Sequence, residues 1–161
     1  MTDELDKFDA FSIDNECLKN QGYRFNEGLL AQIKHLKKLN IDIVITEFVH
    51  REAVKHLAIE IEKSQNAINE ALDRAKRYLL IQEPDLSNAS KLIKISKTKE
   101  ELAEESLRTY YAEIGAEIIR FDEYGDIRRL TNSYFENLPP FANKDKKNEF
   151  PDAFSLIALE N

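Results

Sequence analysis

Residues 149–156, with the sequence EFPDAFSL, contain the acid whose position suggests chemistry most directly, Asp152. Pro151 suits the first turn of a helix, because its missing N–H would have no helical partner there. The neighbouring Asp152 then places a carboxylate at the N-terminus of that helix, where the dipole favours negative charge and metal-bound phosphate can approach. We therefore predict a helix that begins near Pro151 and carries Asp152 in its first turn.

Two further acids, Asp14 and Glu52, matter because of the elements that would position them. Asp14 follows a short predicted strand, and Glu52 lies in the first turns of the helix after the second predicted strand. Ligands of open parallel sheets bind beyond the carboxyl ends of the strands, where loops and helix starts converge. Taken alone, each acid fits a surface charge or a helix cap better than a ligand. Together, they can meet at one edge of the sheet.

The chemistry of such a group of acids is that of a hard metal ion. Crowded carboxylates repel one another, and a divalent cation relieves the repulsion. Mg²⁺ typically takes one or two carboxylates, while waters and substrate phosphate oxygens complete its coordination. Such an ion activates water and neutralises developing charge, so the reaction it supports is hydrolysis of a phosphodiester.

Other side chains compete for roles near Glu52. Glu47 lies nearer the end of the second strand, but a cap at the helix N-terminus suits it better. His56 lies one turn beyond Glu52, a spacing that can bind a transition metal. A lone packed or exposed histidine is much commoner, and no further His or Cys completes a ligand set. We expect His35 and His50 at the surface or the rim.

The spacing of apolar residues predicts three strands and five helices in the order β-α-β-α-α-β-α-α. The predicted strands cover residues 8–13, 41–45 and 117–121, and the predicted helices cover residues 25–39, 47–81, 98–114, 126–138 and 151–159. This alternation indicates an α/β fold with a parallel sheet wrapped by helices. Asn26 is a candidate cap of the first helix, Pro84 is expected to end the second, Thr98 with Glu101 forms a capping signature, and Gly115 suits a helix end.

The chain has 161 residues and a formal net charge of -7, so it is long enough for one domain with a real core and has an acidic surface. An acidic protein binds nucleic acid only where basic residues cluster locally. Two clusters qualify: Lys144, Lys146 and Lys147 before the last helix, and Lys91, Lys94 and Lys97 at three-residue spacing. Either cluster could hold a phosphate backbone, and a solvated face explains both equally well.

The single Cys17 cannot form an internal disulfide, and the sequence has neither a membrane-spanning apolar run nor a signal-peptide pattern. These features predict a cytoplasmic protein without membrane association, with Cys17 as a small buried apolar residue. The predicted last helix runs to the end of the sequence, where a parallel sheet normally continues. We therefore expect a fragment, or a minimal form that lacks its last strands, whose open sheet edge is covered by a homodimer or a protein partner.

Four segments together resemble the PIN-domain family, in the form that carries a long helical insertion. Residues 11–15 (FSIDN) are similar to its first strand and terminal acid, and residues 43–52 (IVITEFVHRE) to its second strand and acid-bearing helix. Residues 134–141 (YFENLPPF) resemble the segment before the third acid, and residues 146–153 (KKNEFPDA) are the most specific match. The resemblance spans nearly the whole chain and implies one domain.

Membership of this family would imply a metal-dependent endoribonuclease that acts on single-stranded RNA. Its Mg²⁺ or Mn²⁺ would be held by Asp14, Glu52 and Asp152, and residues 57–121 would be a helical insertion in a domain over residues 1–161. The biological role stays open among a toxin, a defence effector and a processing enzyme.

Two alternatives to a nuclease remain. The family usually has a small hydroxyl residue and then Asn after the first acid, whereas Asn15 and Glu16 follow Asp14 here, and the chain offers no acid at the family's fourth position. These departures favour a PIN-like module that binds RNA or protein without cleaving. The third interpretation is a helical interaction protein, because the apolar spacing of residues 47–81 fits a coiled-coil seam about as well as a core face.

Overall fold

The computed structural model describes residues 10–39, 41–79, 82–93, 96–142 and 149–160. Its sheet has three parallel strands in the spatial order β1-β2-β3, where β1 is Ala10–Ser12, β2 is Asp42–Thr46 and β3 is Ala116–Ile119. The central strand β2 buries Ile43 and Ile45 on one face of the sheet and Thr46 on the other, as a parallel strand covered on both faces requires. The predicted α/β fold with a parallel sheet is confirmed.

Helices occupy most of the remaining described residues. They are α1 Asn15–Asn20, α2 Gly28–Gln32, α3 Glu47–Tyr78, α4 Glu83–Ile93, α5 Lys99–Ile114, α6 Phe121–Tyr124, α7 Ile127–Glu136 and α8 Phe150–Leu159. A 3₁₀ helix, Ile33–Leu39, continues directly from α2. Among the helices that the structure describes, none combines the length and apolar character needed to cross a bilayer.

The chain divides into two compact units. The first consists of Met1–Ala53 with Arg108–Asn161 and contains the sheet and α8, and the second is Val54–Leu107. The domain boundaries inferred from the sequence, including the insertion at residues 57–121, stay a prediction.

The structure corrects two local predictions. It also contains a helix over residues 15–20 that the sequence does not predict, and Asp14 caps this helix. Glu27, not Asn26, precedes α2, and its side chain makes no capping hydrogen bond. Pro84 lies in the first turn of α4 instead of ending α3, a position where its missing N–H costs nothing.

The start and end of α5 confirm the prediction made from its capping residues. The Thr98 hydroxyl accepts a hydrogen bond from the Glu101 N–H at 3.1 Å, and the Glu101 carboxylate accepts one from the Thr98 N–H at 2.8 Å. The backbone N–H and the side chain of Thr98 lower the pKa of Glu101, because both stabilise the ionised form. At the other end, Gly115 follows α5 with a φ of 72°, which a residue with a Cβ rarely adopts.

An apolar cluster holds α8, the helix that carries Asp152. Leu130 of α7, Phe141, and Ala153 and Ile157 of α8 form this buried cluster. α7 begins at Asp126, whose carboxylate accepts hydrogen bonds from the Arg128 and Arg129 N–H groups at 2.9 and 3.0 Å. α8 packs against α7 through this cluster, and Asp152 in the first turn of α8 is exposed.

Candidate functional site

A pocket of about 290 Å³ lies at the carboxyl edge of the sheet in the first unit. Ser12 and Thr46, the last residues of β1 and β2, contribute to its wall. Asp14, Glu52 and Asp152 all line this pocket, although they belong to three separate parts of the chain. The remaining lining residues that the structure describes are Phe48, Val49, Pro151, Ser155, Leu156 and Leu159.

Asp14 is held at its position by the start of α1. Its Oδ1 accepts a hydrogen bond from the Asn15 N–H at 2.7 Å, and its Oδ2 lies 3.4 Å from the Glu16 N–H. Asn15 is buried, and its amide oxygen accepts a hydrogen bond from the Tyr23 hydroxyl at 3.3 Å. The chain directly after Asp14 is therefore anchored, while the Asp14 carboxylate stays exposed with acceptor capacity to spare.

Glu52 is carried by α3, which starts directly where β2 ends. The Thr46 hydroxyl oxygen lies 3.4 Å from the Val49 N–H, so Thr46 acts as the cap of α3. Glu52 lies in the second turn of this helix and is exposed.

Glu47, the alternative to Glu52 near the second strand, was expected to cap the N-terminus of α3, and its contacts are different. Its carboxylate pairs with Arg51 and accepts a hydrogen bond from the Phe121 N–H at 3.2 Å. The Glu47 carboxylate therefore stabilises the N-terminus of α6 rather than that of its own helix. The two helices are close there because β2 and β3 run parallel and the helices that follow them begin at the same edge. Glu47 is not among the residues that line the pocket.

Asp152 lies in the first turn of α8, with Pro151 also in that turn, as the sequence predicts. Three residues further on, the Ser155 hydroxyl lies 3.0 Å from the hydroxyl of Thr46. This contact ties α8 to the end of β2 across 109 residues of sequence. It fixes the helix that carries Asp152 next to the strand end from which Glu52's helix starts.

The donor atoms of the pocket fit a hard divalent cation in type, because carboxylate and hydroxyl oxygens are the ligands that Mg²⁺ and Mn²⁺ prefer. In the described part of the chain, no group of three or more His, Cys, Asp and Glu side chains stands close enough to hold one ion together. Asp14, Glu52 and Asp152 surround the pocket rather than converge on one point. An ion that takes one or two carboxylates directly and keeps several waters suits this spacing.

The lysines proposed to bind a phosphate backbone lie mostly beyond the described residues. Lys94, Lys144, Lys146 and Lys147 fall outside them. Lys91 is exposed in the last turn of α4, in the second unit. A role for any of these lysines stays a prediction.

Two of the histidine predictions can be compared with the structure. His35 is exposed, as expected. The expectation for His50 is wrong: the side chain is buried, and its ring lies 5.8 Å from that of Tyr111. The reason is that His50 follows the buried Val49 in the first turn of α3, where the helix packs inward. His56 is half-buried and does not line the pocket.

Thr46 and Ser155 are pocket residues that the sequence did not single out. A signal for Ser155 existed, because it follows Asp152 by three residues and so shares its helix face. Thr46 is the last residue of the β-branched run of β2, so its sequence position is that of an ordinary strand residue.

A parallel sheet with an acid-lined pocket at its carboxyl edge defines an α/β domain whose candidate site lies where open parallel sheets bind their ligands. A family model described as the PIN domain matches residues 12–161, which is nearly the whole chain. The chain therefore belongs to the PIN-domain family, whose members are generally nucleases, typically use divalent metals and commonly bind RNA. Searches among curated proteins and among solved structures found no significant match.

Proposed function

We propose that this chain is a metal-dependent endoribonuclease that hydrolyses phosphodiester bonds of single-stranded RNA. The observation that supports the proposal is the pocket itself: Asp14 reaches it as the cap of α1, Glu52 from the second turn of α3 and Asp152 from the first turn of α8. Membership of the PIN-domain family supports the nuclease class.

In this proposal Asp14, Glu52 and Asp152 would form the site for Mg²⁺ or Mn²⁺, with one or two of these carboxylates bound to the ion directly and the remainder through water. When bound, such an ion supplies positive charge near the phosphate and makes a water molecule more acidic. The described residues that line the pocket include three carboxylates and neither Lys nor Arg. Without a cation these carboxylates would repel the RNA backbone, so we expect productive RNA binding at the pocket to depend on the ion.

The RNA-binding lysines, the site of action and the partner are predicted from the sequence alone. Lys91, Lys94, Lys144, Lys146 and Lys147 would hold the RNA backbone, and the cytosol would be the site of action. A homodimer or a protein partner would cover the sheet edge.

A second candidate function is a PIN-domain module that binds RNA or protein without cleaving. The observation in its favour is that, among the described residues, no three His, Cys, Asp or Glu side chains stand close enough to hold one ion together.

The experiment compares two isosteric Asp→Asn substitutions at helix starts of the first unit. Asp152→Asn removes a pocket carboxylate, whereas Asp126→Asn removes an exposed capping acid that is not among the lining residues and that Asn can replace as a cap. Cleavage of single-stranded RNA is measured with Mn²⁺ and with EDTA. We expect Asp152→Asn to lower kcat/KM roughly 100-fold or more and Asp126→Asn to leave it within about twofold.

Metal binding is followed in parallel by thermal unfolding. A ligand that binds only the folded state raises Tm, so Mn²⁺ should stabilise the parent and Asp126→Asn but not Asp152→Asn. Equal cleavage by Asp152→Asn and the parent contradicts the nuclease assignment. Asp152-dependent stabilisation by Mn²⁺ without any cleavage supports the non-cleaving module instead.

A further inference from the structure

The hydroxyl of Thr46 is a buried polar group in the wall of the pocket. Thr46 is 1% exposed, and in the described part of the chain its Oγ1 has two neighbours within hydrogen-bond distance, the Val49 N–H at 3.4 Å and Ser155 Oγ at 3.0 Å. The backbone N–H can only donate, so Thr46 Oγ1 accepts from Val49. The proton of Thr46 then needs an acceptor, since a buried hydroxyl without one is costly, and Ser155 Oγ is the acceptor in range.

The direction of this hydrogen bond determines what Ser155 can do. If Ser155 Oγ accepts from Thr46, the proton of Ser155 is available for another acceptor. A serine or threonine inside a helix commonly donates to the carbonyl four residues earlier, as Thr131 does to Ile127 O at 2.7 Å in α7. Within the described residues, Ser155 makes no such bond. Its side chain is half-buried and lines the pocket, so its proton can reach an acceptor bound there.

A phosphate group bound in the pocket would be an acceptor for the Ser155 proton. A phosphate group in the pocket needs hydrogen-bond donors, because non-bridging phosphate oxygens are strong acceptors. The described lining residues offer no Lys, Arg or His, and their side-chain donors are the hydroxyls of Ser12, Thr46 and Ser155. With the Thr46 proton donated to Ser155, the Thr46 hydroxyl has no proton left for a phosphate. Ser155 lies on the same face of α8 as Asp152.

We propose that Ser155 is a catalytic residue that donates a hydrogen bond to a non-bridging oxygen of the scissile phosphate, and that Thr46 is a positioning residue that orients the Ser155 hydroxyl. This inference rests on the proposed function and adds a substrate contact to it. Negative charge on the phosphate oxygens is redistributed as the bond breaks, so a fixed donor at this place stabilises the transition state more than the bound substrate.

The first test is Ser155→Ala, with kinetics and metal binding measured separately. We expect kcat for single-stranded RNA to fall roughly 10- to 100-fold, with KM within about threefold of the parent, because the lost interaction acts mainly in the transition state. Mn²⁺ affinity, measured by calorimetry without RNA, should stay within about twofold, since all three carboxylates remain. A loss of Mn²⁺ affinity similar to the loss of kcat would mean that Ser155 only supports the acids, and it would overturn the substrate contact.

The second test separates the positioning role of Thr46 from a general structural one. Thr46→Ser retains the hydroxyl and should keep kcat near the parent value, whereas Thr46→Val retains the shape and should lower kcat several-fold. Because Thr46 acts through Ser155, the double variant Thr46→Val/Ser155→Ala should have the same kcat as Ser155→Ala alone. Independent, multiplying effects of the two substitutions on kcat would contradict the coupling.

The outcomes also distinguish this inference from the proposed function. If the parent cleaves RNA with Mn²⁺, Asp152→Asn does not, and Ser155→Ala keeps the parent kcat, the nuclease assignment stands and the role of Ser155 is wrong. If the parent shows no Mn²⁺-dependent cleavage, the proposed function fails and the substrate contact fails with it.

Discussion

The pocket and the surroundings of Tyr110 use polar groups in opposite ways, although both belong to the first unit. Tyr110 is 2% exposed, its hydroxyl donates to the Leu30 carbonyl at 3.1 Å, and its ring stacks on Phe25 with 4.5 Å between centroids. The acids of the pocket, by contrast, are exposed to solvent. A polar group that is buried and paired contributes to stability, whereas one that keeps acceptor capacity toward an open pocket is available to a ligand.

This contrast predicts that substitutions will separate into two classes. Changes around Tyr110 should alter the free energy of unfolding and leave metal binding as it is, whereas removing the charge of a pocket acid while keeping its backbone hydrogen bonds should weaken metal binding and leave the free energy of unfolding nearly unchanged.

The largest effect is expected for Asp14→Asn in the pocket. Asn caps a helix about as well as Asp, so the hydrogen bond to the Asn15 N–H is kept, and the free energy of unfolding should change by no more than about 0.5 kcal/mol. The loss of the negative charge should lower Mn²⁺-dependent cleavage roughly 100-fold or more. Urea unfolding and RNA cleavage of the same preparation measure both quantities.

Asp14→Ala is the matched control for this prediction. It removes the cap together with the charge, so it should also destabilise the fold by about 1 kcal/mol. If Asp14→Asn destabilised the protein as much as Asp14→Ala, the acid would be structural and the contrast between the two regions would fail.

The next effect is expected for Leu30→Ala beside Tyr110. Leu30 has no exposed surface, and truncation of such a side chain costs about 2 to 5 kcal/mol because a cavity remains. At a temperature where the variant is folded, Mn²⁺ should raise Tm by the same amount as in the parent. Loss of that Mn²⁺ effect would show that the two regions are coupled, which the contrast excludes.

The smallest of the three effects is the alkaline response of Tyr110. Desolvation first, and then the negative potential of Cys17 and Glu113, raise the pKa of Tyr110 to about 12, from 10.0 in the unfolded chain. The unfolded state releases this proton above pH 10 while the native state keeps it, so the stabilisation is complete below pH 10 and is lost as the pH rises to about 12. The free energy of unfolding should fall by up to about 2 to 3 kcal/mol over that interval.

Tyr110→Phe isolates this contribution, because it keeps the ring and removes the titrating group. The difference in free energy of unfolding between parent and variant should shrink or change sign between pH 10 and pH 12. An unchanged difference across this interval would contradict the raised pKa of Tyr110.

Much of the fold can be predicted from local sequence, and the exceptions have physical causes. The β-branched run that forms β2 and the capping residues of α5 appear in the sequence, because strand and cap preferences are properties of single residues and near neighbours. The sequence does not predict the six-residue α1, because this helix has too few apolar positions to show a helical period. By sequence, Pro84 fits either the end or the start of a helix, and only the backbone shows that it lies in the first turn of α4.

The candidate site shows the same division. Local patterns predict that Asp14 follows a strand and that Asp152 begins a helix, since both depend on residues within a short stretch. The folded chain was needed to show that Asp14, Glu52 and Asp152 line one pocket, that the Glu47 carboxylate accepts from the Phe121 N–H, and that Thr46 contacts Ser155. Contacts across as many as 109 residues depend on strand order and on which helix face packs inward, and no short stretch of sequence contains that information.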